Sequence, residues 1–124
     1  MNEYRVSIRG KFPSMNDFIA ASRSPYGGNN MKRQSQKIIK EHLKAQIGSE
    51  YINRPIKLHY HFYEPNKKRD KDNISGYFHK VFQDSLVELG IIKDDKWDYI
   101  IGYRDDFDID RNCPRIEIRI KWEE

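Results

Sequence analysis

Apolar and polar residues alternate strictly at three places along the chain and recur at three- and four-residue steps at two more. Tyr4, Val6 and Ile8 interleave with Arg5, Ser7 and Arg9; Ile56, Leu58, Tyr60 and Phe62 with Lys57, His59, His61 and Tyr63; Ile116, Ile118, Ile120 and Trp122 with Arg115, Glu117, Arg119 and Lys121. Each run predicts a strand with one buried face, and Tyr99, Ile101 and Tyr103 predict a shorter strand before the last. Ile38, Ile39, Leu43 and Ile47 predict a helix from about Met31 to Ile47, with Lys32, Arg33, Lys37, Lys40 and Lys44 making a basic face. Ile74, Phe78, Val81, Phe82, Leu86 and Leu89 predict a second helix from Ile74 to Leu89, with Asp72 or Asn73 as N-cap and Gly90 as C-cap. Phe12 to Asn30, broken by Pro13, Pro25, Gly27 and Gly28, reads as a long mobile loop. The order is β-α-β-α-β-β, and 16 Ile against 4 Leu favours a sheet as organiser. The expected fold is α+β: one domain, residues 1–124, with a mixed sheet and two helices packed on one face.

With 124 residues, of which 29 are Leu, Ile, Val or Phe, the chain can build a core without disulfides or a structural metal. The single Cys113 excludes an intramolecular disulfide and points to a reducing compartment. No apolar run suits a signal peptide or membrane span, so a soluble, cytoplasmic protein is expected. The net charge of +4 conceals a division at Arg69. Residues 1–69 carry 14 basic and 5 acidic side chains, and residues 70–124 carry 9 and 14. The basic part suits an anionic partner such as nucleic acid; the acidic part suggests a solvated surface or a divalent-cation site.

The strongest chemical signal lies before the second helix. Asp70 and Asp72 stand two apart in a stretch read as extended, so their carboxylates point the same way, among Lys67, Lys68, Arg69 and Lys71. Two carboxylates would repel a phosphate, but a bound Mg²⁺ reverses that sign. The alternative is a turn whose aspartates cap the helix and neutralise lysines. Asp94 and Asp95 follow the helix. Its C-terminal end is some 20 Å from its start, and an extended Gly90-to-Lys93 segment can return roughly 15 Å of that distance. A third carboxylate is therefore expected to reach the first pair.

Arg69-Asp70-Lys71-Asp72-Asn73-Ile74, then Lys80-Val81-Phe82-Gln83-Asp84-Ser85-Leu86, then Gly90-Ile91-Ile92-Lys93-Asp94-Asp95 resemble the RusA family of Holliday junction resolvases. That family shows R-x-D-x-D-N-[apolar], K-x-x-x-D-x-L and G-[apolar]-x-x-D-D blocks in this order, and Pro13-Ser14-Met15-Asn16 resembles its opening. The resemblance implies that Asp70, Asp72 and Asp95 are catalytic carboxylates binding Mg²⁺, with Asp94 in support. The family's functional lysine, three residues after the motif Asn, is replaced by Gly76; alignment on the K-x-x-x-D-x-L block makes it Lys80, about one helical turn further along, and Lys71 or Lys68 could share its task. The resemblance further implies a homodimer that makes paired cuts in four-way DNA junctions during recombination and repair, in the cytoplasm and often phage- or prophage-encoded. Arg23, Lys32, Arg33 and Lys37, with Lys67, Lys68, Arg69 and Lys71, would bind the DNA backbone. The competing readings are a metal-dependent nuclease preferring other branched DNA, such as flaps or forks, and a non-catalytic basic DNA-binding module.

Other features read as structural. Asp106, Asp108 and Asp110 imitate an EF-hand loop, but Arg111 occupies the place of its turn glycine. His59 and His61 lack a further zinc ligand at suitable spacing. Glu117-Ile118-Arg119 echoes an E-x-K nuclease motif without its lysine, and reads as strand alternation. Tyr77 and His79 could contact DNA, but partial burial is the commoner fate.

Overall fold

The computed structural model describes Asn2–Glu124. Four strands, β1 (Asn2–Arg9), β2 (Ile56–Glu64), β3 (Ile100–Ile109) and β4 (Arg115–Trp122), form one mixed sheet in the order β1-β4-β2-β3. β4 is antiparallel to both its neighbours, and β2 runs parallel to β3. The helices are α1 (Met15–Ala21), α2 (Gly27–Gln46) and α3 (Lys71–Glu88), the last providing the crossover that the parallel pair requires. The expected α+β class and its β-α-β-α-β-β order hold, with α1 as an additional short helix.

The period-two pattern decides which face is covered. Val6, Ile8, Leu58, Tyr60, Phe62, Ile116, Ile118 and Ile120 are buried beneath α2 and α3, while the residues between them form an open face. The helices supply Ile39 and Leu43 from α2 and Phe78, Val81, Phe82 and Leu86 from α3. Phe78 packs edge-on against Tyr60 and Phe62.

The segment from Phe12 to Asn30 departs from the loop expected of it. Ser14 and Asp17 form a reciprocal capping box: each side chain accepts from the other's backbone N–H, at 3.1 and 2.9 Å, and α1 starts there. Gly27 and Gly28 open α2 because the chain turns back tightly on α1. A Cβ on Gly27 would stand 2.2 Å from the Ala21 carbonyl oxygen, and one on Gly28 2.4 Å from Ser22 Oγ.

Helix α3 starts three residues earlier than the periodicity predicts, with Asp70 as N-cap. It stops at a Schellman motif: Gly90, at φ +72°, donates to the Val87 carbonyl and Ile91 to that of Leu86. The turn drives Ile91 and Ile92 into the core, and Ile52 N–H donates to the Ile91 carbonyl. The residues that follow are thereby held near the start of β2, where Ile56 N–H bonds the Tyr99 carbonyl.

β3 is an edge strand with a register shift opposite Ile56 and Lys57. Tyr103, Asp105, Phe107 and Ile109 lie on the helix side but overhang α3, so Tyr103 and Ile109 stay exposed, as does Ile101 at the irregularity. Three histidine–aspartate pairs brace the strand: His59–Asp106 and His61–Asp108 at 2.6 Å on the open face, and His79–Asp105 at 2.7 Å beneath it. Asp110 ties the following hairpin by accepting from Asn112 and Cys113 N–H and from Arg115. The acidic stretch is thus structural, with no calcium-loop geometry, and His59 and His61 are satisfied by carboxylates.

Candidate active site

The β2–α3 connection folds over the C-terminal ends of β2 and β3, leaving an open cleft of about 770 Å³. Asp70 and Asp72 line it as the N-cap and a first-turn residue of α3; both are exposed. Lys67 and Lys71 share the cleft, whose apolar wall is Ile74, Phe107 and Ile109. Lys71 Nζ lies 5.8 Å from the Phe107 ring centroid. Asp108 also borders the cleft, although its carboxylate accepts from His61.

Arg69, expected among the DNA-binding cations, is engaged inside the protein. Its Nε and Nη2 each donate to Glu64 at 2.9 Å, and Nη1 donates to the Phe12 carbonyl at 2.7 Å. Glu64 is buried, so this fork fixes the residue immediately before Asp70 against the end of β2. Sequence reasoning passed over Glu64. The signal was its spacing, five residues before an arginine across a Pro65-Asn66 turn, with the side chain on the buried face of β2.

Asp95 does not join this cleft within one chain, which corrects the expected convergence. The segment after α3 does not run back extended, because the Schellman turn and the buried Ile91 and Ile92 hold it at the other end of the helix. Seventeen steps of α3 at the usual rise place the two ends about 26 Å apart. There Asp94 accepts the Asp95 N–H at 2.7 Å and faces Lys96 at 3.7 Å; the backbone hydrogen bond, helped by Lys96, holds its carboxyl below the ordinary value. Among the described residues no three His, Cys, Asp or Glu side chains come together as a metal cluster. Two cleft aspartates nevertheless fit Mg²⁺, which commonly takes one or two protein carboxylates and completes its octahedron with waters and phosphate oxygens.

Lys80 is exposed on α3 and absent from the cleft lining. Gly76 faces α1, where a Cβ would lie 3.5 Å from Met15 Cε. Arg33, Lys37, Lys40 and Lys44 flank a groove along α2, with Lys40 paired to Glu88 at 2.7 Å. Lys32 lies over the Phe18 ring, and Arg23 is exposed in the α1–α2 turn. Tyr77 is buried, and its hydroxyl pairs with Ser35 at 2.8 Å; burial pushes its pKa up.

Carboxylates and lysines sharing an open cleft at the strand ends of a small α+β domain define a protein equipped for phosphodiester chemistry. Residues 21–121 match the family described as endodeoxyribonuclease RusA, and the chain belongs to that family. It is a crossover junction endodeoxyribonuclease, and the family's Holliday-junction-resolving activity is metal-dependent. No curated protein matches the chain. No helix is long and apolar enough to cross a membrane.

Proposed function

We propose that this protein is a Mg²⁺-dependent homodimeric nuclease that resolves four-way DNA junctions in recombination and repair by paired phosphodiester hydrolysis. The observation that carries this reading is the sharing of one cleft by Asp70, Asp72, Lys67 and Lys71. Mg²⁺ held by Asp70 and Asp72 would supply Lewis-acid neutralisation of the scissile phosphate and acidify the attacking water. The two carboxylates orient that centre from the rigid start of α3, itself anchored by Arg69 and Glu64. Lys71 and Lys67 offset charge on the phosphate, the part the family pattern assigns to Lys80. Lys80 and the α2 cations Lys32, Arg33 and Lys37, with Arg23 and Lys68, contact backbone phosphates farther out.

In this reading the third carboxylate comes from a second copy. β3 offers an unpaired edge, and Trp97, Ile101, Tyr103 and Ile109 are exposed on it or just before it. Two such edges meeting antiparallel about a two-fold axis set the start of one strand beside the end of the other. The partner subunit's Asp95 then approaches Asp70 and Asp72, and the dimer carries two matched sites.

Mixed dimers test this. Asp72→Asn and Asp95→Asn should each abolish cleavage of a synthetic junction in Mg²⁺ while leaving binding intact. Dimers containing one subunit of each should recover a single nick, because one of their two sites is wild type. Lack of recovery would place Asp95 in its own chain's site, and full activity of Asp95→Asn alone would place it outside catalysis. Full activity of Asp72→Asn alone would remove the catalytic reading. A panel of flaps, forks and junctions at equal concentration fixes the preferred branch.

A further inference from the structure

We propose that the open face of the sheet, opposite the helices, is a second phosphate-binding surface that takes the backbone of a duplex arm leading away from the cleft. The proposal rests on the branched-DNA reading above. Its basis is the cross-strand register, which sets Arg5 opposite Arg119, Arg9 opposite Arg115, and Lys57 opposite Lys121, all on this face. Like charges directly opposite on one face destabilise a sheet. Arg5 is relieved by Glu3 and Arg115 by Asp110 and Glu117, which leaves Arg9, Lys57, Arg119 and Lys121 as the cations an anion over the face would relieve. Edge protection does not account for them: Arg115, Arg119 and Lys121 are on β4 and Lys57 on β2, both interior strands.

The acids nearby neutralise only part of the face, and Asp106 and Asp108 are taken by His59, Arg104 and His61. Glu3 is taken by Arg5, and Glu117 by Arg115 at 2.8 Å. Arg5, with Arg119 and Lys121 close by, holds the Glu3 carboxyl below its ordinary value, as a positive field would. Among the described residues Arg9, Lys57, Arg119 and Lys121 have no carboxylate within ion-pair distance. The cations run from the Lys57–Lys121 row to the Arg9–Arg115 row, six residues along a strand, or about 20 Å. At 3.4 Å per phosphate step, that covers about six base pairs.

The position of the face is also suitable. The Arg9–Arg115 row continues across Tyr63 to Asp108, at the same end of the sheet as the cleft, which Asp108 borders. A duplex arm leaving the cleft can therefore pass over the strand ends and along the cations. Phosphate contacts of this kind position DNA without reading its sequence.

The test is a salt series of junction binding by wild type and by a variant carrying Arg9→Gln, Lys57→Gln, Arg119→Gln and Lys121→Gln. Four lost phosphate contacts should reduce the slope of log K against log salt by about 3 to 4, and affinity at low salt by about a hundredfold or more. Single-turnover cleavage at saturating protein should stay near wild type, and the melting temperature should hold or rise as repulsion is relieved. A charge-keeping set, Arg9→Lys, Lys57→Arg, Arg119→Lys and Lys121→Arg, should retain the slope. Should the fourfold variant not fold, Lys57→Gln with Arg119→Gln should still lower the slope by about 2. An unchanged slope and affinity, with cleavage intact, overturns this surface and leaves the nuclease reading standing. Wild type that binds no branched DNA overturns both.

Discussion

The two ends of α3 each carry a pair of aspartates, yet they are built differently. At the N-terminal end, Asp70 and Asp72 project into a cleft from backbone that the buried Arg69–Glu64 fork holds in place, beside two lysines. At the C-terminal end, Asp94 and Asp95 lie in a turn where the neighbouring ion pair, Lys96–Asp94, is exposed and 3.7 Å long. The first pair is held in a cleft and has no third carboxylate beside it among the described residues. The second is offered outward, beside the unpaired edge of β3. Neither end gathers three carboxylates in one chain, and the proposed two-fold dimer is the arrangement in which each end would supply what the other lacks.

The largest expected effects fall on the acids at the two ends of α3. Asp72→Asn should lower junction cleavage roughly a thousandfold, as removal of a principal electrostatic element does. Asp95→Asn should match it, with thermal unfolding unchanged in both. A loss confined to Asp72→Asn would show that the C-terminal pair is only a solvated turn.

The ion pairs at the two ends should diverge next. Arg69→Ala strands a buried Glu64 and should cost about 3–5 kcal/mol in denaturant unfolding. Lys96→Ala should fall within about 0.5 kcal/mol of wild type. Equal effects would contradict the difference in burial on which the comparison rests.

Gly90→Ala strains the turn that carries Asp95 away from the cleft. A Cβ at Gly90 meets nothing within 4 Å, so the cost is the left-handed backbone alone, about 1–2 kcal/mol. The smallest effect is at the capping box. Ser14→Ala should cost about 1 kcal/mol by urea unfolding. The Ser14 backbone hydrogen bond holds the Asp17 carboxyl below its ordinary value. A lowered folded-state pKa means that this stabilisation is full above the unfolded value near 4 and is lost as pH falls through the folded one. An acid titration should therefore show Asp17→Asn losing less stability than wild type below about pH 4.

β1, β2, β4, α2 and the body of α3 were legible because period-two and helical patterns act locally and are enforced by one buried face. β3 was read only at its start, because as an edge strand it runs on through Asp105, Asp106 and Asp108 with Ile101 and Tyr103 exposed. The D-x-D signal was legible for a similar reason, since residues two apart stay close in either conformation. Its backbone was misjudged: Asp70, not Asp72 or Asn73, is the N-cap of α3, and Asp72 lies in the first helical turn instead of an extended stretch. α1 was hidden by Pro13, Pro25 and the glycine pair, although Ser14 and Asp17 spelled its capping box. Gly27 and Gly28 answer a close approach to α1, a distant contact that no local pattern reports.

By itself the sequence determined the faces of β1, β2 and β4, the helical periods, and the basic and acidic division, because each is written in neighbouring residues. Tertiary structure alone decided that β4 inserts between β2 and β1, that Arg69 turns inward to Glu64, and that three rows of like charge meet on the open face. It also decided that Asp95 stays at the far end of α3. A Schellman turn aims the chain, but the burial of Ile91 and Ile92 against the assembled core holds it there, and burial exists only once the whole domain has closed.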